Sequence, residues 1–227
     1  MEDYSGGMKK IIQKCKQKAC SMDRRPIAMT LFGCAIMGLG IALIKMSFLG
    51  SDPYTAMVIA LGDKIGVDFS LILIGINCLC FLVQWCFGRE LIGLGTFVNW
   101  ILVGPLASFL EKVLLSVGFI YETFWPRLFL MLLGVLVLSL ACALYQTADK
   151  GVAPYDALSI ILARKSKISY FGCRFLTDLF CAVSTFLLGG LLSIGTVVCV
   201  AGLGPFISFF SKNIASPLIL SGEKRKN

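Results

Sequence analysis

The sequence predicts an all-α polytopic membrane protein, with six transmembrane helices arranged as two inverted three-helix repeats. Three observations lead there: composition, a succession of uncharged stretches, and an internal repeat. Of 227 residues, 57% are hydrophobic and 15% charged, and the mean hydropathy is +0.85. Soluble domains are roughly half apolar and about a quarter charged, so an ordinary water-facing fold is excluded. Such a chain needs a bilayer to take up its apolar surface.

Residues 1–26 form a basic tail carrying Lys9, Lys10, Lys14, Lys16, Lys18, Arg24 and Arg25. Met8, Ile11, Ile12 and Cys15 recur at near-helical spacing. The tail reads either as a helix on the anionic inner leaflet or as a solvated, topology-setting segment. Its long basic region, with no small-residue cleavage pattern, is unlike a signal peptide. Uncharged stretches follow at 27–44, 69–88, 91–110 and 128–148. Each approaches the ~20 residues that cross about 30 Å of hydrocarbon. From Leu179 to Ser211 no charge occurs, too long a run for one crossing. Gly189-Gly190 divides it into helices at 169–189 and 192–211. Repeat 1 thus spans 27–117 and repeat 2 spans 127–212, with a basic C-terminal tail at 213–227.

Charge placement sets the sidedness. With the N-terminus inside, sixteen Lys and Arg residues fall on the inner side and four on the outer side, with Arg174 inside a span. The positive-inside rule then gives both termini on the cytoplasmic side of the membrane.

The repeat lies in two motifs. Gly50-Ser51-Asp52-Pro53-Tyr54-Thr55-Ala56 matches Gly151-Val152-Ala153-Pro154-Tyr155-Asp156-Ala157 at an offset of 101. Gly95-Thr96 and Gly104-Pro105 match Gly195-Thr196 and Gly204-Pro205 at an offset of 100. Three crossings per copy is an odd number, so the second copy inserts upside down, as in many secondary transporters. Residues 53–64 and 154–164 are too short to span. They read as half-helices aimed at a central site or as amphipathic helices at the interfaces. Asp52 before Pro53 is a good N-cap, and Asp156 falls in a first turn that favours its charge. Gly104-Pro105 and Gly204-Pro205 are expected helix breaks, each freeing a carbonyl.

Charges within the hydrocarbon are expensive and point to function. Arg174 and Asp178 stand i, i+4 on one helix face, either as a self-neutralising pair or as solute-binding groups. The candidate substrate-binding residues are Asp52, Tyr54, Asn77, Tyr155, Asp156, Arg174 and Asp178. Histidine is absent, which removes imidazole bases and His-based zinc sites. Ten cysteines contain no CxxC pair, and those in apolar stretches read as small hydrophobes. No catalytic residue, cofactor, metal site or nucleic-acid-binding module is expected.

The paired motifs resemble the YczE branch of the YczE/YyaS/YitT group of bacterial integral membrane proteins. The residues concerned include Gly38-Leu39-Gly40, Leu49 to Tyr54, Ile92 to Thr96 and Val103 to Pro105. The second half answers with Ala143-Leu144-Tyr145, Gly151 to Ala157, Ile194 to Thr196 and Gly204-Pro205. The resemblance implies a cytoplasmic-membrane protein with a repeated core, for which transport is a suspicion. Tyr54 and Tyr155 stand where such proteins often carry an aromatic such as Trp. The expected function is therefore small-solute transport, or solute binding as a membrane subunit, between the repeats. The alternative is a regulatory or assembly partner of another protein, or of a second copy. The basic tails are expected to meet anionic lipid.

Overall fold

A computed structural model describes residues 24–117, 123–190 and 192–223. Residues 1–23 of the expected basic tail, helical or solvated, and the last basic residues lie outside the described residues. Within them the chain is helical, with no strand. In order come α1 (Arg24–Met46), α2 (Pro53–Ile65), α3 (Phe69–Phe87), α4 (Leu94–Ser116) and α5 (Phe124–Thr147). Then follow α6 (Pro154–Lys165), α7 (Tyr170–Leu187), α8 (Ile194–Phe210) and α9 (Ser216–Glu223). A 3-10 turn, Arg89–Leu91, precedes α4, and a π-helical turn, Ser211–Ala215, joins α8 to α9.

All six apolar stretches are helices. Five are long and apolar enough to cross a membrane: α1, α4, α5, α7, and α8 running on to Ile219. The apolar run of α3, Leu71–Phe87, is shorter. Gly189 does divide the long uncharged run, taking a left-handed φ of 90° just after α7. Helix continues to Glu223, into the segment expected as the C-terminal tail. The physical reason is that Ala215 is buried against Ala143 and Leu144, which anchors the extension.

The core forms where α1 lies along α5, with α4 and α8 flanking them. A Cβ on Gly40 would come within 2.7 Å of the Leu138 backbone nitrogen, so only glycine lets these two helices approach so closely. Buried Cys34, Met37, Met131, Val135, Tyr145 and Leu203 fill the seam. Large apolar side chains also point outward, including Leu71, Ile101, Phe180 and Leu187, each more than 60% exposed. That outward face suits lipid and not water.

The two repeated loops share one backbone conformation. Phe48 and Asp149 have φ of 52° and 54°, and Gly50 and Gly151 have φ of 120° and 113°. Each loop receives the start of a helix from the other half. Gly195 N donates to Leu49 O at 2.9 Å, and Gly95 N donates to Lys150 O at 2.8 Å. Polar contacts gather at two ends of the bundle. At one end Arg164 pairs with Glu90, Lys165 Nζ lies 3.6 Å from the Phe87 ring centroid, and Thr147 meets Ser211 at 3.1 Å. At the other, Lys45 Nζ pairs with Glu111 at 3.1 Å, and Arg127 lies over Phe48.

Candidate functional site

The two short helices bring the repeated motifs together. Asp52 caps α2 as expected, its Oδ1 accepting from Thr55 N at 3.1 Å. Pro53 follows at the first helical position, and Pro154 does the same for α6. Both N-terminal ends face each other. The Tyr54 and Tyr155 rings stack with centroids 4.4 Å apart and 20° between their planes. Each hydroxyl donates to a residue 23 positions further on: Tyr54 to Asn77 Oδ1 at 3.0 Å, and Tyr155 to Asp178 Oδ1 at 2.6 Å.

An ionic network stands beside the stack in the second half. Arg174 Nε donates to Asp178 Oδ2 at 3.1 Å, the i, i+4 contact that the spacing predicts. Its Nη1 pairs with Asp156, which also accepts from the Tyr145 hydroxyl. Arg174 and Asp178 are only 5% and 1% exposed. Arg174 also lies over the Tyr155 ring, with Cζ 5.0 Å from the centroid. The guanidinium is thus committed to two carboxylates and one aromatic face. Buried charges persist only when paired and hydrogen-bonded in this way.

A cavity of about 390 Å³ opens onto these groups. It is lined by Asp52, Tyr54, Asn77, Tyr155, Asp156 and Arg174, six of the seven candidate residues. Asp178 reaches it through Tyr155 and Arg174. The volume falls in the range of small-ligand sites. A second cavity of about 330 Å³ touches the other side chains of the junction, and Tyr54 and Tyr155 line both. Its remaining walls are nearly all apolar, among them Met57, Ile76 and Phe180.

The Gly-Pro pairs need correction: neither breaks its helix. α4 runs through Pro105 and α8 through Pro205, leaving the carbonyls of Ile101 and Ala201 without their usual donors. The surrounding turns and packing carry each helix past the lost bond. The two glycines also differ, for Gly104 lines the cavity while Gly204 packs against Phe171.

Sequence reasoning missed four contributors. Tyr145 is fully buried in α5, and a buried hydroxyl within a span is itself a signal that a partner is near. Lys45, Asn99 and Trp100 also line the cavity. Asn99 donates to Met37 Sδ at 3.1 Å, in keeping with an interhelical hydrogen-bonding role.

An all-helical apolar body, lipid-suited outside and holding a buried ionic network within, is a polytopic α-helical membrane protein. The chain belongs to the DUF6198 family, a family of unknown function, whose model matches residues 24–212. It is similar to an uncharacterized protein of Haemophilus influenzae, 29% identical over 191 residues, 84% of this chain and 85% of that one. It is also similar to the uncharacterized protein YyaS of Bacillus subtilis, 26% identical over 183 residues, 75% of this chain and 86% of YyaS. The uncharacterized membrane protein YczE of Bacillus subtilis is 23% identical over 178 residues, 78% of this chain and 81% of YczE. The resemblance drawn from the repeated motifs is borne out. No solved structure matches the chain.

Proposed function

We propose that the protein is a small-solute membrane transporter, or the solute-binding membrane subunit of one, with its site between two inverted three-helix repeats. The observation that carries this reading is the cavity of about 390 Å³ at which Asp52 and Tyr54 from one half meet Tyr155, Asp156 and Arg174 from the other. Intramembrane charges facing such a cavity suit solute handling. The reading includes no catalytic role.

Contacts at the two ends support six crossings and an inverted pair. Glu111, late in α4, meets Lys45, late in α1, while Gly95, early in α4, meets Lys150. Residues 53–87 therefore carry the chain back across the bundle, with α3 as the crossing helix. The start of α8 meets Leu49, and its end meets Thr147 through Ser211. The halves thus run in opposite senses. The end holding Arg89, Lys150, Arg164 and Lys165 is the cytoplasmic one by the positive-inside rule, which sets both termini in the cytoplasm of a bacterial cell. The stacked tyrosines favour half-helices, because helices lying on opposite membrane faces could not bring their first turns into contact.

The test is thermal unfolding of purified, detergent-solubilised protein against a broad metabolite panel, with Asn77→Leu alongside. A ligand at 100 times its Kd adds about 2.7 kcal/mol of stability. The expected result is a stabilising compound whose effect is lost in that variant and which then moves across reconstituted vesicles. Silence across the panel, from cooperatively unfolding protein that co-purifies with one stoichiometric partner, would replace this reading with the regulatory or assembly one.

A further inference from the structure

The duplication gives each site residue a counterpart 101 positions away, and the counterparts differ in charge. Asn77 answers Asp178, and each accepts from its own tyrosine. Thr55 answers Asp156, and Leu73 answers Arg174. The second half therefore fills its side of the junction with an arginine between two aspartates. The first half has Leu73, Thr55 and Asn77 at those positions, and all three line the cavity.

We propose that this cavity binds a small organic cation of the guanidinium or alkylammonium type. Its head lies against Tyr54, Asn77 and Asp52, much as Arg174 lies against Tyr155, Asp178 and Asp156. The inference rests on the solute-site reading and adds the ligand class. Charge supplies the first argument. Lys45 is cancelled by Glu111, and Arg174 by one of its two aspartates. One carboxylate of that network remains over, and so does Asp52, which has no ion-pair partner among the described residues. Excess negative charge in a low-dielectric interior is relieved by a bound cation. An anion would meet an arginine already held by two carboxylates.

Aromatic surface supplies the second argument. Arg174 over Tyr155 is a cation–π contact, and Tyr54 presents the equivalent ring to the cavity, with Trp100 also on its wall. Leu73, Ile41 and Val103 leave room for a short alkyl body.

Thermal unfolding of the detergent-solubilised full chain tests this with butylguanidinium, butylammonium, butylurea and butyrate as probes. The two cations are expected to raise Tm saturably, while the neutral and anionic probes leave it unmoved. Asp52→Asn keeps an N-cap acceptor for Thr55 N, so the fold is retained, yet it weakens cation binding by roughly tenfold or more. Leu73→Arg supplies a tethered guanidinium and abolishes the shift. Equal stabilisation by butylurea or butyrate, or a cation shift undiminished in Asp52→Asn, overturns the cation assignment while leaving a solute site standing. Failure of every probe and every metabolite to raise Tm overturns both.

Discussion

Arg174 is the residue on which most of the buried polar chemistry converges. It pairs with both Asp156 and Asp178, and both of these carboxylates also accept from a tyrosine. Arg174→Leu leaves two buried carboxylates uncompensated and is expected to cost about 3–5 kcal/mol, measured by denaturant unfolding in detergent. Asp178→Asn should cost clearly less than Asp178→Ala in the same experiment. Asparagine still accepts from the Tyr155 hydroxyl, as Asn77 does from Tyr54 in the first half. Equal losses would mean that the charge, and not the hydrogen bond, sets the contribution of Asp178. The Arg174–Asp178 contact was legible from i, i+4 spacing alone, because one helix fixes that geometry. Asp156 was legible as a first-turn acid but not as the second partner of Arg174. That contact depends on how α6 packs against α7, which no local periodicity encodes.

Among the elements, the two Gly-Pro helices show how far a duplicated motif constrains structure. Both prolines were legible as lost hydrogen bonds, but the continuity of α4 and α8 through them was not, since it depends on the neighbouring turns. A Cβ at Gly204 would come within 2.7 Å of Phe171 Cδ2, whereas a Cβ at Gly104 has open space around it. Gly204→Ala is therefore expected to destabilise the protein by about 1–3 kcal/mol through overpacking. Gly104→Ala should leave unfolding nearly unchanged while narrowing the cavity. A thermal melt of both variants checks the difference, and matching Tm losses would contradict it. The helix starts at Gly95 and Gly195 tell the same story from the opposite side. Their recurrence was legible from the repeat. That each docks on the loop of the other half emerged only from tertiary packing.

Across the whole molecule, the number of crossings decides whether the halves are inverted, and parity makes it measurable. Five helices meet the length and composition expected of a span, while the apolar run of α3 is shorter. Five crossings would leave the termini on opposite sides; six leave them on the same side. The end-to-end contacts argue for six, because α4 starts beside Lys150 and finishes beside Lys45, so the chain must return across the bundle before α4 begins. On the proposed reading, α2 enters only part-way and leaves α3 to complete that return. At 19 residues α3 is about 28 Å long at 1.5 Å per residue, close to the ~30 Å hydrocarbon thickness. Fusions in a bacterial host read the result directly. A fluorescent protein fused at the C-terminus should fold in the cytoplasm, and alkaline phosphatase there should stay inactive for want of its disulfides. The same phosphatase fused after Val117 should be active. Active phosphatase at the C-terminus, with the N-terminus shown to be cytoplasmic, would mean an odd number of crossings. The two motifs would then enter from the same side, and the opposed half-helices on which the solute site depends could not form.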